Sequence, residues 1–265
     1  MYGCGRGNYG QQGSGSTNDV TTFTKRADNV SSVACSAYTT WYLSKTGELY
    51  GCGYGNYGQQ GNESTNNVTT FMKRADNIDK VVCSTVTTWY LTKTGELYGC
   101  GYEERGQQEG GSEDNVSTFT KRAENVSQIS TSDNATWYIT KSNELYGRGY
   151  NYSGQQGNGS TENILTFIKR ADNASKVFSY SATTLYLDKN NTLYASGFLD
   201  YCRTGMGAPN PTVKVFTKIA ENVQEVGYGM TNRYDFSYGD YFFYGYLYYR
   251  VKGRLYLYGS DTVIE

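Results

Sequence analysis

Residues 40–53 read TWYLSKTGELYGCG, and the fold is inferred from this stretch. Aromatic and apolar residues flank Thr46-Gly47 on both sides, an arrangement typical of a β-hairpin whose reversal contains glycine. Threonine, tryptophan and tyrosine also suit a pleated surface. We therefore predict one strand that begins at Thr39, a second strand that begins at Glu48, and a tight turn between them.

The hairpin belongs to a unit that recurs every 48 residues. Its second-strand tyrosine stands at Tyr2, Tyr50, Tyr98, Tyr146 and Tyr194. Its tryptophan stands at Trp41, Trp89 and Trp137, and the fourth copy has Leu185. Each unit also contains two further strand-like pieces, which in the first copy are VTTFTKRA from Val20 and NVSSVACS from Asn29. Four short antiparallel strands in roughly 40 to 50 residues are the pattern of a propeller blade.

We therefore predict an all-β protein, a β-propeller of about five 48-residue repeats that form a single domain over residues 1–265. The repeats span about 2–49, 50–97, 98–145, 146–193 and 194–259. The ELYGCG type of strand occurs six times and the tryptophan type five times. Two arrangements stay open: a closed five-bladed ring with one surplus strand, and an open or incomplete propeller.

The repeat resembles that of the regulator of chromosome condensation family over essentially the whole chain. The positions that match the family's turn and hairpin are Asn56, Gly58, Gln59, Gly61, Leu91, Gly95, Leu97 and Tyr98. The family's strand tryptophan is replaced here by Cys4, Cys52, Cys100 and Arg148, and its repeating histidine by Thr39 and Thr87. The resemblance implies a β-propeller, typically of seven blades, that acts as a guanine-nucleotide exchange factor for a small GTPase, binds chromatin or serves as an interaction platform. No motif for exchange is visible in this chain, so that activity is not transferred to it.

Residues 53–58, GYGNYG, match the dinucleotide fingerprint G-x-G-x-x-G. A dinucleotide site needs a helix directly after the glycines, because the helix N-terminus receives the pyrophosphate. The next residues, QQGNESTNNVTTF, are polar and turn-rich without helical periodicity. We therefore interpret the glycines as a repeated turn that requires positive φ.

The composition argues against several classes of function. A net charge of −1 leaves no basic surplus for a nucleic-acid backbone, and histidine is absent, so the commonest acid/base group and metal ligand is missing. No apolar run approaches the roughly 20 residues of a membrane span, and residues 1–10 do not read as a secretion signal. We predict no cofactor, no metal ion, no membrane partner and a cytoplasmic location.

Two repeated groups of reactive side chains are interpreted as structural. Cys4, Cys52 and Cys100 share one repeat position and Cys35 and Cys83 another, which predicts small buried thiols that face neighbouring blades. Basic pairs recur at Lys25-Arg26, Lys73-Arg74, Lys121-Arg122 and Lys169-Arg170, each followed by an acidic residue at Asp28, Asp76, Glu124 or Asp172. We expect these charges to pair with one another at a solvated strand end, although a ring of basic pairs could also meet an acidic partner.

Candidate partner-binding residues lie where the repeat is irregular, since a binding site is normally unique while repeated residues serve the repeat. They are Glu103, Glu104 and Arg105 in the third unit, Tyr201 and Arg203 in the loop from Phe198, and Tyr228, Tyr234, Phe236, Tyr238 and Tyr241 in the expanded fifth unit. Tyrosines on loops offer broad contact area at low entropic cost. The alternative for the fifth unit is that Tyr241 to Tyr249 form the strands of a last blade, with aromatic residues that pack its junction, and we favour this interpretation for Tyr246 to Tyr249.

No catalytic residue is predicted, because the carboxylates of the hairpin turn, Glu48, Glu96 and Glu144, are repeated rather than unique. The function expected is therefore a non-enzymatic protein–protein interaction scaffold. The alternative is a structural subunit that assembles with its own copies or within a larger complex. A guanine-nucleotide exchange factor and an enzyme rank below both.

Overall fold

The computed structural model describes residues 1–102, 115–180, 182–198, 212–235, 240–257 and 263–264. Within these ranges the chain forms β-strands joined by turns, and no helix. Accordingly, the described ranges offer no helix of the length and hydropathy that a membrane crossing requires.

Within the described ranges the strands form one two-stranded sheet followed by five four-stranded antiparallel sheets, each made of consecutive strands. The two-stranded sheet contains β1 (Tyr2–Gly5) and β2 (Val20–Lys25). The first blade contains β3 (Val30–Cys35), β4 (Thr39–Ser44), β5 (Leu49–Gly53) and β6 (Val68–Ala75). The second contains β7 (Ile78–Cys83), β8 (Thr87–Thr92), β9 (Leu97–Gly101) and β10 (Val116–Ala123). The third contains β11 (Val126–Thr131), β12 (Ala135–Thr140), β13 (Leu145–Gly149) and β14 (Ile164–Ala171).

The fourth blade contains β15 (Ala174–Tyr180), β16 (Thr183–Asp188), β17 (Leu193–Phe198) and β18 (Thr212–Ala220). The fifth contains β19 (Val223–Asp235), β20 (Asp240–Val251), β21 (Arg254–Leu257) and β22 (Val263–Ile264). The predicted all-β propeller fold is confirmed. The predicted hairpin is β4–β5, in which Trp41 lies opposite Gly51 and Tyr42 opposite Tyr50.

The boundaries of the sheets do not coincide with the boundaries of the 48-residue units when each unit is counted from its second-strand tyrosine, such as Tyr2 or Tyr50. Residues 2–49 carry β1 to β4, yet β1 and β2 form one sheet while β3 and β4 begin the next. The connection between two blades is as short as a hairpin turn: β6 ends at Ala75, β7 begins at Ile78, and Asn77 between them has a φ of 62°. The six ELYGCG-type strands are β1, β5, β9, β13, β17 and β21, so the surplus copy is β1, which pairs with β2.

The hydrophobic core lies between adjacent blades. Trp41, Leu43 and Leu49 of the first blade pack together with Ile78 and Val81 of the second in one buried cluster. The same arrangement joins the second blade to the third and the third to the fourth. Each blade is therefore stabilised by its neighbour, as expected of a radially stacked repeat.

A stacked pair of tyrosines recurs in the two middle strands of each four-stranded sheet, and Tyr90, Tyr138 and Tyr186 of these pairs are buried at the junction with the preceding blade. Tyr42 stacks on Tyr50 with ring centroids 4.8 Å apart, and Phe71 of β6 meets Tyr42 edge-on at 5.0 Å. Stacked pairs recur as Tyr90–Tyr98, Tyr138–Tyr146, Tyr186–Tyr194 and Tyr249–Tyr256. Tyr249 lies in β20, so the strand interpretation of residues 246–249 is confirmed.

The glycine fingerprint is a turn at a blade junction. β5 ends at Gly53, and the following residues form turns rather than a helix. Gly58 has a φ of 76°, and a Cβ there would lie 2.7 Å from Ser117 Cα of the second blade. The glycine is therefore required both by its backbone conformation and by the close approach of the next blade.

Candidate functional site

The residues proposed from the sequence as a partner surface fall mainly in parts of the chain that the structure does not describe. Those outside the described residues are Glu103, Glu104, Arg105, Tyr201, Arg203, Phe236 and Tyr238. Tyr228 and Tyr234 lie in β19, where the backbone of Tyr234 pairs with that of Tyr241 in β20. The backbone at these three tyrosines is therefore a strand rather than a loop, and their part in binding stays a prediction.

The described residues bring five other tyrosines together on loops. This tyrosine row consists of Tyr9 from the β1–β2 connection, Tyr38 from the β3–β4 loop, Tyr54 and Tyr57 from the β5–β6 connection, and Tyr102 directly after β9. Tyr9, Tyr38 and Tyr54 form a triangle with ring centroids 4.9 to 5.7 Å apart. Tyr57 continues the row, 5.8 Å from Tyr54 and 5.2 Å from Tyr102. All five rings are half-buried and meet edge to face, so part of each side chain stays accessible.

Buried glutamines hold the loops of the tyrosine row. The Tyr57 amide donates to Gln59 Oε1 at 2.9 Å, and the side chain of Gln59 is fully buried. Gln59 Nε2 in turn donates to the carbonyl of Thr85 in the second blade. The Tyr9 amide donates to Gln11 Oε1 in the same way, at 2.9 Å. The repeated GQQ motif therefore fixes the tyrosines relative to the next blade.

Backbone hydrogen bonds hold Tyr54 and Tyr102, two other residues of the tyrosine row. The amide of Tyr54 donates to the carbonyl of Tyr38 at 3.0 Å, and the amide of Tyr102 donates to the carbonyl of Val86 at 3.0 Å. Burial raises the pKa of the Tyr54 hydroxyl, and the neighbouring Tyr57 and Tyr9 add to the effect. The ring of Tyr54 is therefore neutral at physiological pH, and its loop is held by the sheets beneath it.

The repeated lysines form ion pairs with acidic side chains. Lys73 Nζ lies 2.6 Å from Asp76 and 2.8 Å from Glu48. The same bridge recurs from Lys121 to Glu96 and Glu124 and from Lys169 to Glu144 and Asp172, and Lys25 and Lys218 pair with Asp28 and Glu221. The hydrogen bond from Lys73 is the main cause that lowers the pKa of Glu48. The predicted pairing is confirmed for the lysines, and the structure adds the hairpin glutamates to it. Arg74 and Arg170 differ from the expected solvated strand end, because they are half-buried and burial lowers their pKa.

The cysteines divide by repeat position. Cys52 and Cys100 are buried, and their thiols donate to the carbonyls of Gln11 and Gln59 at 3.5 and 3.4 Å. Ser196 occupies the equivalent repeat position in the fourth blade, and its hydroxyl donates to the carbonyl of Gln155 at 3.0 Å. Burial raises the pKa of the Cys52 thiol to about 12, so these groups bridge blades rather than react.

The expectation of a buried thiol is wrong for Cys35. Cys35 is exposed, because the first strand of a blade lines a central cavity instead of a blade junction. This cavity of about 670 Å³ is walled by β3, β7, β11 and β15, and its described lining contains two lysines, Lys80 and Lys176, but no carboxylate. Cys202 lies outside the described residues, among which no group of three or more cysteine, aspartate or glutamate side chains is arranged to hold a metal ion.

Sequence reasoning missed the tyrosine row because its members are mostly repeated. Tyr57 stands 48 residues after Tyr9, and Tyr102 stands 48 residues after Tyr54. Repetition by itself favours a structural role, whereas these positions lie on loops and are only half-buried. Their 48-residue spacing beside the GQQ turn was the available signal, since equivalent loops of neighbouring blades lie side by side.

Comparisons with known proteins agree with this architecture. The family model described as "Regulator of chromosome condensation (RCC1) repeat" matches residues 30–59. No curated protein matches the chain. The crystal structure of human WBSCR16 is similar with a TM-score of 0.71 and 18% identity, over 98% of this chain and 71% of that one.

Two yeast structures are similar as well. Prp20p from Saccharomyces cerevisiae gives a TM-score of 0.68 with 16% identity, over 85% of this chain and 61% of that one. The structure of Kap60 bound to yeast RCC1 (Prp20) gives 0.63 with 18% identity, over 79% and 54%. The chain thus spans less than two thirds of the yeast chains it matches. Residues 30–59 match the RCC1 repeat model, the described sheets adopt the fold of the RCC1 β-propellers, and the resemblance to the regulator of chromosome condensation family is confirmed.

Proposed function

We propose that this protein is a non-enzymatic scaffold that binds a protein partner through the tyrosine row. The observation that carries the proposal is the convergence of Tyr9, Tyr38, Tyr54, Tyr57 and Tyr102 from three successive sheets. Tyrosine supplies a large, rigid contact area at low entropic cost and is enriched in the centres of interfaces. A row held by buried glutamines is preorganised, which lowers the cost of binding.

The charges of the described residues favour binding over catalysis. The hairpin glutamates, which would be the natural acid/base candidates, are engaged by lysines in ion pairs. A net charge of −1 favours a protein partner over a nucleic acid. The published description of Prp20p includes its binding to Gsp1p and histones, so a protein of this fold with a TM-score of 0.68 binds other proteins. Exchange on a GTPase ranks lower, because no motif in this chain supports it.

The test uses cross-linking and mass spectrometry in the native extract with a matched control. We expect the double variant Tyr54→Ala with Tyr57→Ala to lose the partners that the unaltered chain captures. Tyr152→Ala is the control, because Tyr152 is also a loop tyrosine, is 73% exposed and lies outside the tyrosine row. Equal capture by the double variant and the control, with unchanged melting temperatures, would contradict the proposal.

Assembly with its own copies is a separate prediction from the sequence. Light scattering tests it, since a monomer has a mass of 29.6 kDa. A clean monomer at micromolar concentration counts against self-assembly and leaves the role of the tyrosine row unaffected.

A further inference from the structure

The central cavity is walled by the first strand of four successive blades, β3, β7, β11 and β15. Each of these strands is the last of its sheet on that side, so one of its backbone edges lies outside the sheet ladder. The strands β7, β11 and β15 belong to blades that each pack between two described blades. The cavity volume of about 670 Å³ lies in the range of small-molecule sites.

One repeat position supplies the charge of this wall. Lys80 of β7, Gln128 of β11 and Lys176 of β15 are each 48 residues apart, and all three line the cavity. The side chain of Gln128 reaches the next blade, where its Nε2 donates to the carbonyl of Ser175 at 2.6 Å. Both lysines are exposed. Two cations therefore flank an amide side chain on three successive blades.

These two lysines differ from the repeated lysines at the strand ends in their ion pairing. Lys73, Lys121 and Lys169 each bridge two carboxylates. Among the residues that the structure describes, no carboxylate lies within ion-pair distance of Lys80 or Lys176. Asp79 precedes Lys80 at a strand bulge, but it does not belong to the described lining. Both ammonium groups are therefore available to a ligand.

The other polar groups of the described wall bring no negative charge. The hydroxyl oxygen of Ser130 accepts a hydrogen bond from the Ser179 amide at 3.1 Å, so its own proton can be donated to a ligand. Desolvation raises the pKa of the Cys35 and Cys83 thiols, which keeps both groups neutral at physiological pH. The wall thus combines two cations with neutral donors, which is complementary to an anion.

We propose that the central cavity binds a compact anion that carries two or more phosphate groups. Lys80 and Lys176 each contact one phosphate group, and the Ser130 hydroxyl donates to the ligand from β11, which lies between β7 and β15. Lysine binds phosphate as a point charge on a flexible stem, so side chains from different blades can converge on one ligand. Two separate cations favour a ligand with at least two anionic groups.

A phosphate ligand fits this cavity better than an acidic peptide. A phosphate monoester carries a charge of about −1.5 to −2 at pH 7, whereas a carboxylate carries a single charge. A compact phosphate compound therefore places more negative charge between the two lysines than a peptide segment of the same volume. The cavity lies on strands and the tyrosine row lies on loops, so this inference does not rest on the proposed function.

The test is isothermal titration calorimetry of the intact 265-residue chain, with tripolyphosphate as the probe at low ionic strength. We expect saturable binding, weakened about tenfold or more in the double variant Lys80→Gln with Lys176→Gln, because each substitution removes a charge-assisted contact. The matched control is Lys45→Gln with Lys189→Gln. It removes the same charge from two exposed lysines that do not line the cavity, and it should leave the affinity nearly unchanged.

Alkylation of Cys35 locates the bound anion. Cys35 is exposed and lines the same cavity, whereas Cys4 does not line it. Saturating tripolyphosphate should slow the reaction of Cys35 with iodoacetamide and leave the rate at Cys4 unchanged. Peptide mapping by mass spectrometry measures both rates in one sample.

Several outcomes would overturn the proposal. The absence of saturable binding removes the site, and an equal loss of affinity in the two double variants would show that binding follows net charge alone. An unchanged alkylation rate of Cys35 would place the anion elsewhere, and tighter binding of hexaglutamate than of tripolyphosphate would make the ligand an acidic peptide. Should the cavity double variant lower the melting temperature, the single variants Lys80→Gln and Lys176→Gln decide instead, and unchanged affinity in both contradicts the site.

Discussion

The junction between the first and second blades and the groove beside β1 present the same repeat residues in different surroundings. Gly51 and Phe119 enclose a buried tryptophan at the first, whereas Gly3 and Phe71 border a groove at the second. Tyr50 is stacked on Tyr42, and its counterpart Tyr2 is exposed. The repeat position alone therefore does not determine whether a side chain is buried or exposed. Its burial depends on whether a neighbouring strand packs against it.

The largest expected difference between these two regions is in stability. Trp89→Ala should lower the free energy of unfolding by about 3–5 kcal/mol, because it leaves a cavity at a filled junction where the ring is fully buried. Phe23→Ala in β2 should change it by no more than about 0.5 kcal/mol, because the ring is 76% exposed. Urea denaturation followed by circular dichroism measures both. Similar losses for the two variants would show that Phe23 is covered in solution.

Valine substitutions at Gly51 and Gly3, which share one repeat position, compare the packing beside β5 with the packing beside β1. Gly51→Val should destabilise the fold by about 1–3 kcal/mol or more, since its Cβ would fall within 2.3 Å of the Trp41 ring. Gly3→Val should be tolerated, because the nearest atom is the flexible end of Gln12. Thermal unfolding of the two variants measures this difference, and an equal loss of stability at Gly3 would contradict the space that the groove leaves there.

The smallest effect expected is a difference in thiol reactivity without loss of stability. Cys4 of β1 is half-buried, whereas its counterpart Cys52 is buried and has a pKa raised to about 12. A thiol reacts as its thiolate, so at pH 8 Cys52 should stay unmodified in the folded protein and become reactive only as the pH approaches 12. Iodoacetamide labelling with peptide mapping should find Cys4 modified and Cys52 protected. Equal labelling of the two at pH 8 would contradict this account of the junctions.

The strands of the repeat could be predicted from the sequence, but their grouping into sheets could not. The hairpin β4–β5 was predictable because threonine and aromatic residues flank Thr46-Gly47. The step from β6 to β7 at Asp76-Asn77 has the same length and turn chemistry as a hairpin, yet it joins two blades. A strict period can be divided at any point, so it contains no information on which turn stays within a sheet.

The candidate site was less predictable for a related reason. Tyr9 and Tyr54 are 45 residues apart, and they touch only because the connections of adjacent sheets lie side by side. The exposure of Cys35 depends in the same way on the first strand facing a cavity rather than a neighbouring blade. Pairing of the lysines with acidic residues was predictable, because Lys73 and Asp76 are close in the chain, whereas the third partner Glu48 comes from the adjacent strand.

Amide hydrogen exchange read by mass spectrometry tests the central claim most directly, because it compares β1 with β5 in one experiment. We expect slow exchange across β5, which is paired on both edges, and fast exchange in β1, which in the described sheets is paired along one edge. Protection of β1 equal to that of β5 would contradict this difference between the two strands.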